Sequence, residues 1–220
     1  MDNNSRVVLS NQVGLHDKLE ALVKRHINSE YQKPVQHHNR MAFEHFLNLS
    51  NKIEQPKILD SCCGTGQSSI ELAKQYPDHW VIGIDQSKHR LSRVVEQPDN
   101  LLLLQANCED FWRLCVQASV WFEHHFILYP NPWPKKIHLK RRWHGHPVFP
   151  YLAKLSGRLT LRSNWSVYLE EFAESWFWLT GNRYLVKDYK PEKFMTLFER
   201  KYSLSGQNLH QLLISDSEEF

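Results

Sequence analysis

The sequence predicts an α/β fold built on a mostly parallel seven-stranded sheet with helices on both faces. Three observations carry that prediction. Seven short apolar runs are spaced along the 220 residues, most of them separated by stretches of helical periodicity, the pattern of strands joined by crossover helices. The first core strand, Lys57-Ile58-Leu59-Asp60, runs into Ser61-Cys62-Cys63-Gly64-Thr65-Gly66 and then into a helical stretch, Gln67 to Gln75. The second, Trp80 to Ile84, closes on an acid, Asp85.

Composition bounds the class. Hydrophobic residues make up 41% and charged residues 23%, ordinary for a globular protein. No apolar run approaches the roughly 18 residues that a membrane helix needs. The N-terminus, MDNNSRVVLSNQ, is polar and lacks a signal-peptide core. Cys62, Cys63, Cys108 and Cys115 contain no C-x-x-C spacing, so free thiols in a reducing cytoplasm are expected and a metal site is not. The net charge of +3 becomes informative because basic residues cluster at 135–142.

The division expected is an N-terminal helical extension, residues 1–50, and a core domain, residues 51–220. Residues 1–12 read as disordered. Leu15, Leu19, Leu22 and Val23 recur at helical spacing up to Ile27. A second helix follows Pro34, with Met41, Phe43, Phe46 and Leu47 on one side. His37 and His38 are neighbours near its start; adjacent helical side chains face different ways, so they read as solvated.

The strand–glycine turn–helix unit at 57–75 reads as a cofactor loop. Gly64 and Gly66 let backbone approach a ligand, and the helix start offers free N–H groups. Asp60 suits a cationic amino group and would repel a pyrophosphate. Asp85, about 20 residues past the loop, can accept the hydroxyls of a ribose. Together these favour a nucleoside cofactor. The alternative for Asp85 is a cap on the helix beginning near Ser87.

Leu101 to Leu104 is an unbroken leucine run that reads as a third, fully buried strand, followed by Asn107 and Cys108. Cys115 reads as packed on a helix, and His124 and His125 as structural. Phe126 to Tyr129 is the fourth strand. It stops at Pro130-Asn131-Pro132-Trp133-Pro134, because three prolines cannot join a hydrogen-bonded ladder. The basic run Lys135, Lys136, Lys140, Arg141 and Arg142 comes next, with His138 among them. A strand-end loop carrying an amide, an indole and clustered cations suits a polyanionic substrate. Pro147 to Leu155 reads as a helix, and Arg158 to Arg162 as a strand ending at Ser163-Asn164-Trp165. A helix follows with Phe172, Trp176 and Leu179 on a core face. Tyr184 to Val186 and Leu209 to Ile214 read as the last two strands, and the acidic tail 216–219 as loose.

The stretch Phe126 to Arg142 resembles the signature of the TrmB-type tRNA (guanine-N(7)-)-methyltransferases, through Pro130, Pro132, Trp133, Lys135, Lys140, Arg141 and Arg142. In that family a strand ends in Pro-Asp-Pro-Trp, and Asn131 stands where the family has aspartate. The strand end at Ser163-Asn164 resembles the family's Thr-Asp, followed by Tyr168 and Glu170. Thr196-Leu197-Phe198-Glu199 resembles its Thr-x-Phe-Glu box. The glycine loop is similar to acid-x-Gly-x-Gly-x-Gly, with Cys62 at the first glycine. The likeness spans roughly residues 50–214.

The resemblance implies a Rossmann-like class I S-adenosylmethionine-dependent methyltransferase that modifies guanine nitrogen 7 of tRNA, at position 46 in the variable loop. It places the cofactor on Asp60, Gly64, Gly66, Asp85, Asn107 and Cys108, with the last two at the adenine. It implies catalytic roles for Asn131 and Glu199, and substrate contacts for Lys135, Lys140, Arg141, Arg142, Asn164 and Thr196. Asparagine keeps an acceptor oxygen but loses the charge of the family's aspartate. Two other readings stay open: a non-catalytic or altered-specificity tRNA-binding paralogue, and an adenine amino-methyltransferase, whose strand end carries Asn-Pro-Pro-aromatic.

Overall fold

The computed structural model describes residues 5–94 and 96–215; the acidic tail at 216–219 lies outside them. The strands are β1 (Lys57–Ser61), β2 (Trp80–Asp85), β3 (Leu101–Gln105), β4 (Phe122–Leu128), β5 (Ser156–Ser163), β6 (Val186–Tyr189) and β7 (Leu209–Ser215). They form one sheet in the order β3-β2-β1-β4-β5-β7-β6. The pairs β1–β2, β1–β4 and β2–β3 are parallel, whereas β6 and β7 pair antiparallel. The helices are α1 (Leu19–Ile27), α2 (His37–Ser50), α3 (Gln67–Gln75), α4 (Lys88–Leu91), α5 (Cys108–Gln117), α6 (Phe149–Leu152), α7 (Ser166–Thr180) and α8 (Leu197–Leu204). The predicted α/β class is the observed one.

The chain forms two compact units. One comprises Lys33–Leu128 and Lys154–Leu159; the other comprises residues 5–32, Tyr129–Ala153 and Thr160–Ile214.

In the first unit, every residue of β2 and all but the first of β1 are buried, as a central parallel strand requires. The leucine run of β3 departs from expectation: Leu102 and Leu103 are only half-buried, because β3 is the sheet's edge strand. Phe43 and Phe46 of α2 are buried, and Phe46 lies 5.3 Å from Phe111 and 5.6 Å from Trp80 between ring centroids. Met41, expected beside them, is exposed. His37 and His38 are exposed, as read. His124 and His125 lie inside β4, which begins four residues before the predicted strand. Burial lowers the His125 pKa to about 3, and its Nε2 sits 2.8 Å from Ser61 Oγ, a structural contact.

In the second unit, α1 buries Leu19, Leu22 and Val23 and packs on α7. Residues 5–12, expected to be disordered, are tied down. Ser5 N–H donates to Ser205 Oγ (3.1 Å), Ser10 Oγ to Pro134 O (2.7 Å) and Gln12 Nε2 to Glu171 Oε1 (2.6 Å). The helix predicted from 147 to 155 is only α6, with Pro150 in its first turn. The strand predicted at 184–186 begins at Val186 instead; Leu185 points to solvent.

Candidate functional site

In the first unit, β1 delivers the chain into a turn through Cys62, Cys63, Gly64, Thr65 and Gly66, which starts α3. Cys62, Gly64 and Gly66 all adopt left-handed backbone, with φ of 62°, 62° and 75°. Cys62 therefore keeps the conformation that a glycine would hold freely, at a cost of roughly 1–2 kcal/mol. A Cβ on Gly66 would stand 2.9 Å from Val94 Cγ2, whereas one on Gly64 would meet nothing within 4 Å. Gly64 thus leaves open space above the turn. Cys63 N–H donates to Ile84 O (3.0 Å) and seats the turn on β2.

The two acids at the strand ends are buried. Asp60 Oδ2 accepts from Ser68 Oγ (2.6 Å) and Ser69 Oγ (2.7 Å) at the start of α3. Its Oδ1 is buried and unpartnered. Burial, with Asp85 adding to it, raises the Asp60 pKa to about 6 against the pull of the two serines. Asp85 is already engaged. Its Oδ2 accepts from Gly64 N–H (3.0 Å), and its Oδ1 from Ser87 N–H (2.8 Å) and Arg90 (3.1 Å). Ser87 itself caps α4 through its hydroxyl. The carboxylate expected to take a ribose fastens the turn, and Arg90 occupies an acceptor position on Oδ1.

Asn107 stands at the N-cap of α5 without a side-chain capping bond. Its backbone N–H donates to Asn39 Oδ1 (3.0 Å), and Asn39 Nδ2 donates to Asp110 (2.6 Å). Cys108 is buried, its sulfur 3.5 Å from that of Cys62. Asn39 and Asp110 were not singled out from the sequence. Asn39 lies on the same face of α2 as Phe43 and Phe46, which was the available signal.

In the second unit, the Pro130–Trp133 loop is strained and held. Tyr129 and Trp133 have φ of 52° and 45°, genuine outliers for bulky residues. Tyr129 O–H donates to Glu199 (3.0 Å), and Trp133 N–H donates to Asn131 Oδ1 (3.3 Å). Arg142 donates twice to Trp133 O (3.2 and 3.1 Å). Such strain, of order 1–3 kcal/mol per residue, persists only where surroundings enforce it. Asn131 is exposed, and its Oδ1 accepts from Trp133 N–H, which leaves Nδ2 outside that bond. Lys135, Lys140 and Arg141 are exposed, with the Arg141 guanidinium 4.6 Å from the Trp133 ring centroid. Asn164 donates to Gln207 (2.8 Å). Thr196 caps α8, its hydroxyl accepting from Glu199 N–H (2.9 Å).

Two expectations are corrected here. Arg142 is fully buried and ion-paired with Glu171, so it cannot meet a phosphate as placed. Glu199 is also fully buried; it accepts from Tyr129, from Arg162 (3.1 Å) and from Met195 N–H (2.7 Å). Its carboxylate is committed to the protein and positions Tyr129 rather than facing a substrate.

Glu171, not the exposed Glu170, is the hub of this unit. It takes Gln12 Nε2, His16 N–H (2.9 Å), His144 Nε2 (2.8 Å) and the Arg142 guanidinium. Burial alone would raise its pKa, but His144 and Arg142 hold it at about 2. Burial lowers the His144 pKa despite Glu171, so the neutral ring donates through Nε2–H and leaves Nδ1 bare, matching its lack of a partner.

A glycine turn with left-handed backbone, two buried acids at adjacent strand ends, and the strand order 3-2-1-4-5-7-6 define an α/β protein of methyltransferase type. Residues 54–212 match the family model described as "Putative methyltransferase", and the chain belongs to that family. The tRNA (guanine-N(7)-)-methyltransferase of Halorhodospira halophila (strain DSM 244 / SL1) is 28% identical over 176 residues, 72% of this chain and 74% of its own. The protein of the same name from Ectopseudomonas mendocina (strain ymp) is 29% identical over 185 residues, 74% of each chain. Among solved structures, the 16S rRNA methyltransferase KamB superposes with a TM-score of 0.59 at 17% identity, covering 78% of this chain and 92% of its own; that likeness concerns the fold.

Proposed function

We propose that this protein transfers a methyl group from S-adenosylmethionine to nitrogen 7 of a guanine in tRNA, at position 46 of the variable loop, in the cytoplasm. The observation that carries the reading is the Pro130–Trp133 loop. In a chain of the methyltransferase family, with relatives that bear the tRNA guanine name, this loop is clamped in a strained shape beside exposed Lys135, Lys140 and Arg141.

The residues of the glycine turn fit the cofactor. The unpartnered buried oxygen of Asp60 suits an ammonium group. Gly64 leaves room for a ligand backbone-close, and the uncommitted Asn107 amide suits an adenine edge. Asp85 can take a ribose, provided Arg90 releases Oδ1. When bound, S-adenosylmethionine supplies an electrophilic methyl group on a positive sulfur.

Guanine nitrogen 7 carries a free lone pair at neutral pH, so the protein need not remove a proton. Its task is alignment. Lys135, Lys140 and Arg141 hold phosphates through charge-assisted hydrogen bonds. Asn131 and Asn164 offer neutral amides to the purine, and Thr196 retains a hydroxyl donor. Glu199 acts through Tyr129, holding the strand end from which the loop departs. With neutral amides in place of two carboxylates, the positive charge that develops on the purine is stabilised less.

One observation favours a second reading. With Oδ1 of Asn131 taken by Trp133 N–H, the group left for a substrate is its Nδ2 donor, which suits a base presenting an acceptor and hence an altered specificity. Incubation of the protein with unmodified tRNA and methyl-labelled cofactor, followed by nucleoside digestion, tests both. Label in 7-methylguanosine supports the proposal; label in a methylated adenosine replaces it.

A further inference from the structure

We infer that Cys62 and Cys108 are an oxidisable pair, which a hydroperoxide converts into a disulfide that closes the cofactor turn. The inference rests on the reading that this turn binds S-adenosylmethionine.

The geometry selects this pair from four free cysteines. The sulfurs of Cys62 and Cys108 are 3.5 Å apart and share a hydrogen bond. A disulfide needs about 2.05 Å, so closure asks for a shift of about 1.5 Å. Cys115 is wholly buried in α5, and Cys63 is buried as well. The two sulfurs of the pair also differ in access. Cys62 is half-buried, whereas Cys108 is buried. The hydrogen bond to Cys62, and burial, push the Cys108 thiol well above its usual pKa. Cys62 is therefore the attacking sulfur and Cys108 the resolving one.

The chemistry balances in two steps. The Cys62 thiolate attacks the hydroperoxide; a sulfur–oxygen bond forms, the oxygen–oxygen bond breaks, and the leaving group, hydroxide from hydrogen peroxide or alkoxide from an organic hydroperoxide, takes a proton to become water or an alcohol. The Cys108 sulfur then attacks the Cys62 sulfenic acid; a sulfur–sulfur bond forms, the sulfur–oxygen bond breaks, and hydroxide leaves with the thiol proton as water. Each sulfur loses one electron and the hydroperoxide gains two. A thiol reductant reverses the bond by exchange.

The backbone gives this disulfide its consequence. Cys62 sits in left-handed backbone at the first position of the turn, and Cys108 is the first residue of α5. Joining them draws the turn toward the helix start, across the positions assigned to the adenine and the methionine moiety. A glycine at position 62 would make the turn insensitive, which gives a cysteine held in strain there a use.

The test treats reduced full-length protein with equimolar hydrogen peroxide, with and without S-adenosylmethionine. It then reads intact mass, peptide linkage and cofactor affinity by calorimetry. The inference expects a loss of two hydrogens per chain and a Cys62–Cys108 linkage. Affinity should fall at least about tenfold and return with dithiothreitol, and prior cofactor binding should slow the reaction. Cys62→Ser should have the same affinity before and after peroxide, whatever its starting value. Addition of oxygen without a cross-link, or a linkage through Cys63, overturns the pair. A Cys62–Cys108 linkage with unchanged affinity overturns the closing role. If the reduced protein fails to bind S-adenosylmethionine at all, the cofactor reading falls, while the mass and linkage still decide the pair.

Discussion

Arg142→Ala should unfold the second unit far more readily while leaving the electrostatics of RNA binding nearly intact. The basic run reads as one cationic patch, yet Arg142 and Glu171 are each fully buried. Removing one member of a buried ion pair leaves an uncompensated charge and costs about 3–5 kcal/mol. Here Gln12, His16 N–H and His144 still donate to Glu171, which places the loss near the lower end, about 3 kcal/mol. At about 2–4 °C per kcal/mol for a chain of this size, Tm should fall by roughly 6–12 °C. The exposed pair behaves oppositely. Lys140→Ala with Arg141→Ala should hold Tm to within a few degrees and flatten the salt dependence of tRNA binding by roughly two. Thermal melts by circular dichroism and filter binding across a salt series measure both. The reasoning fails if Arg142→Ala keeps the wild-type Tm and flattens the salt slope, since Arg142 would then be a phosphate contact. Acid gives the same pair a second readout. The Glu171 pKa is depressed to about 2, so its stabilisation is fully present above the unfolded carboxylate value of about 4.3 and is lost as pH falls toward 2.

The remaining expectations concern the loop and the cofactor turn. Asn131→Asp should raise the single-turnover methyl-transfer rate more than tRNA affinity, because the carboxylate keeps the bond from Trp133 N–H and faces charge that exists mainly in the transition state; a fall in rate would make Nδ2 donation the working contact. Ionised Asp60 is the form that holds an ammonium group, and its pKa is about 6, so S-adenosylmethionine affinity measured by calorimetry should weaken about tenfold per pH unit below that value and level off above it, up to the α-amino value of roughly 7.7–8. Asp60→Asn should abolish that pH dependence. Arg90→Ala should tighten cofactor binding by up to about fivefold, the worth of a half-exposed ion pair; weaker binding would mean that Arg90 holds the cradle in shape.

The sheet was legible because β1 and β2 are buried along almost their whole length, and continuous apolar runs are what such strands require. The edge was not: β3 reads as fully buried because its leucines say nothing of which neighbour is missing, and β6 fully buries none of its residues, so its apolar signal fell on Tyr184 and Leu185 instead. The glycine turn proposed for the cofactor was legible as a turn, with Asp60 and Asp85 beside it, since glycine spacing and acidic strand ends are local features. What Asp85 does there was legible in part: the bond from Ser87 N–H, two residues on, is local and agrees with the capping alternative, whereas Gly64 N–H reaches it only in three dimensions. The basic run misled for a geometric reason. Lys136–Arg141 is a 3-10 helix, in which residues three apart eclipse. Arg142 thus follows buried Leu139 inward, while Lys140 and Arg141 face out. Glu171 carried a signal that went unused: with Tyr168, Phe172 and Ser175 it falls on the buried stripe of α7. A charge in such a stripe demands a partner, and Arg142 is that partner.

The most direct measurement is the position and atom of methylation on a single tRNA transcript. The transcript is incubated with the protein and S-adenosylmethionine, reduced with borohydride and cleaved with aniline, which breaks the chain at 7-methylguanosine. The account predicts one cut, at guanine 46, that disappears when that base is changed to adenine. Methyl incorporation without any cut, or a cut outside the variable loop, would contradict it.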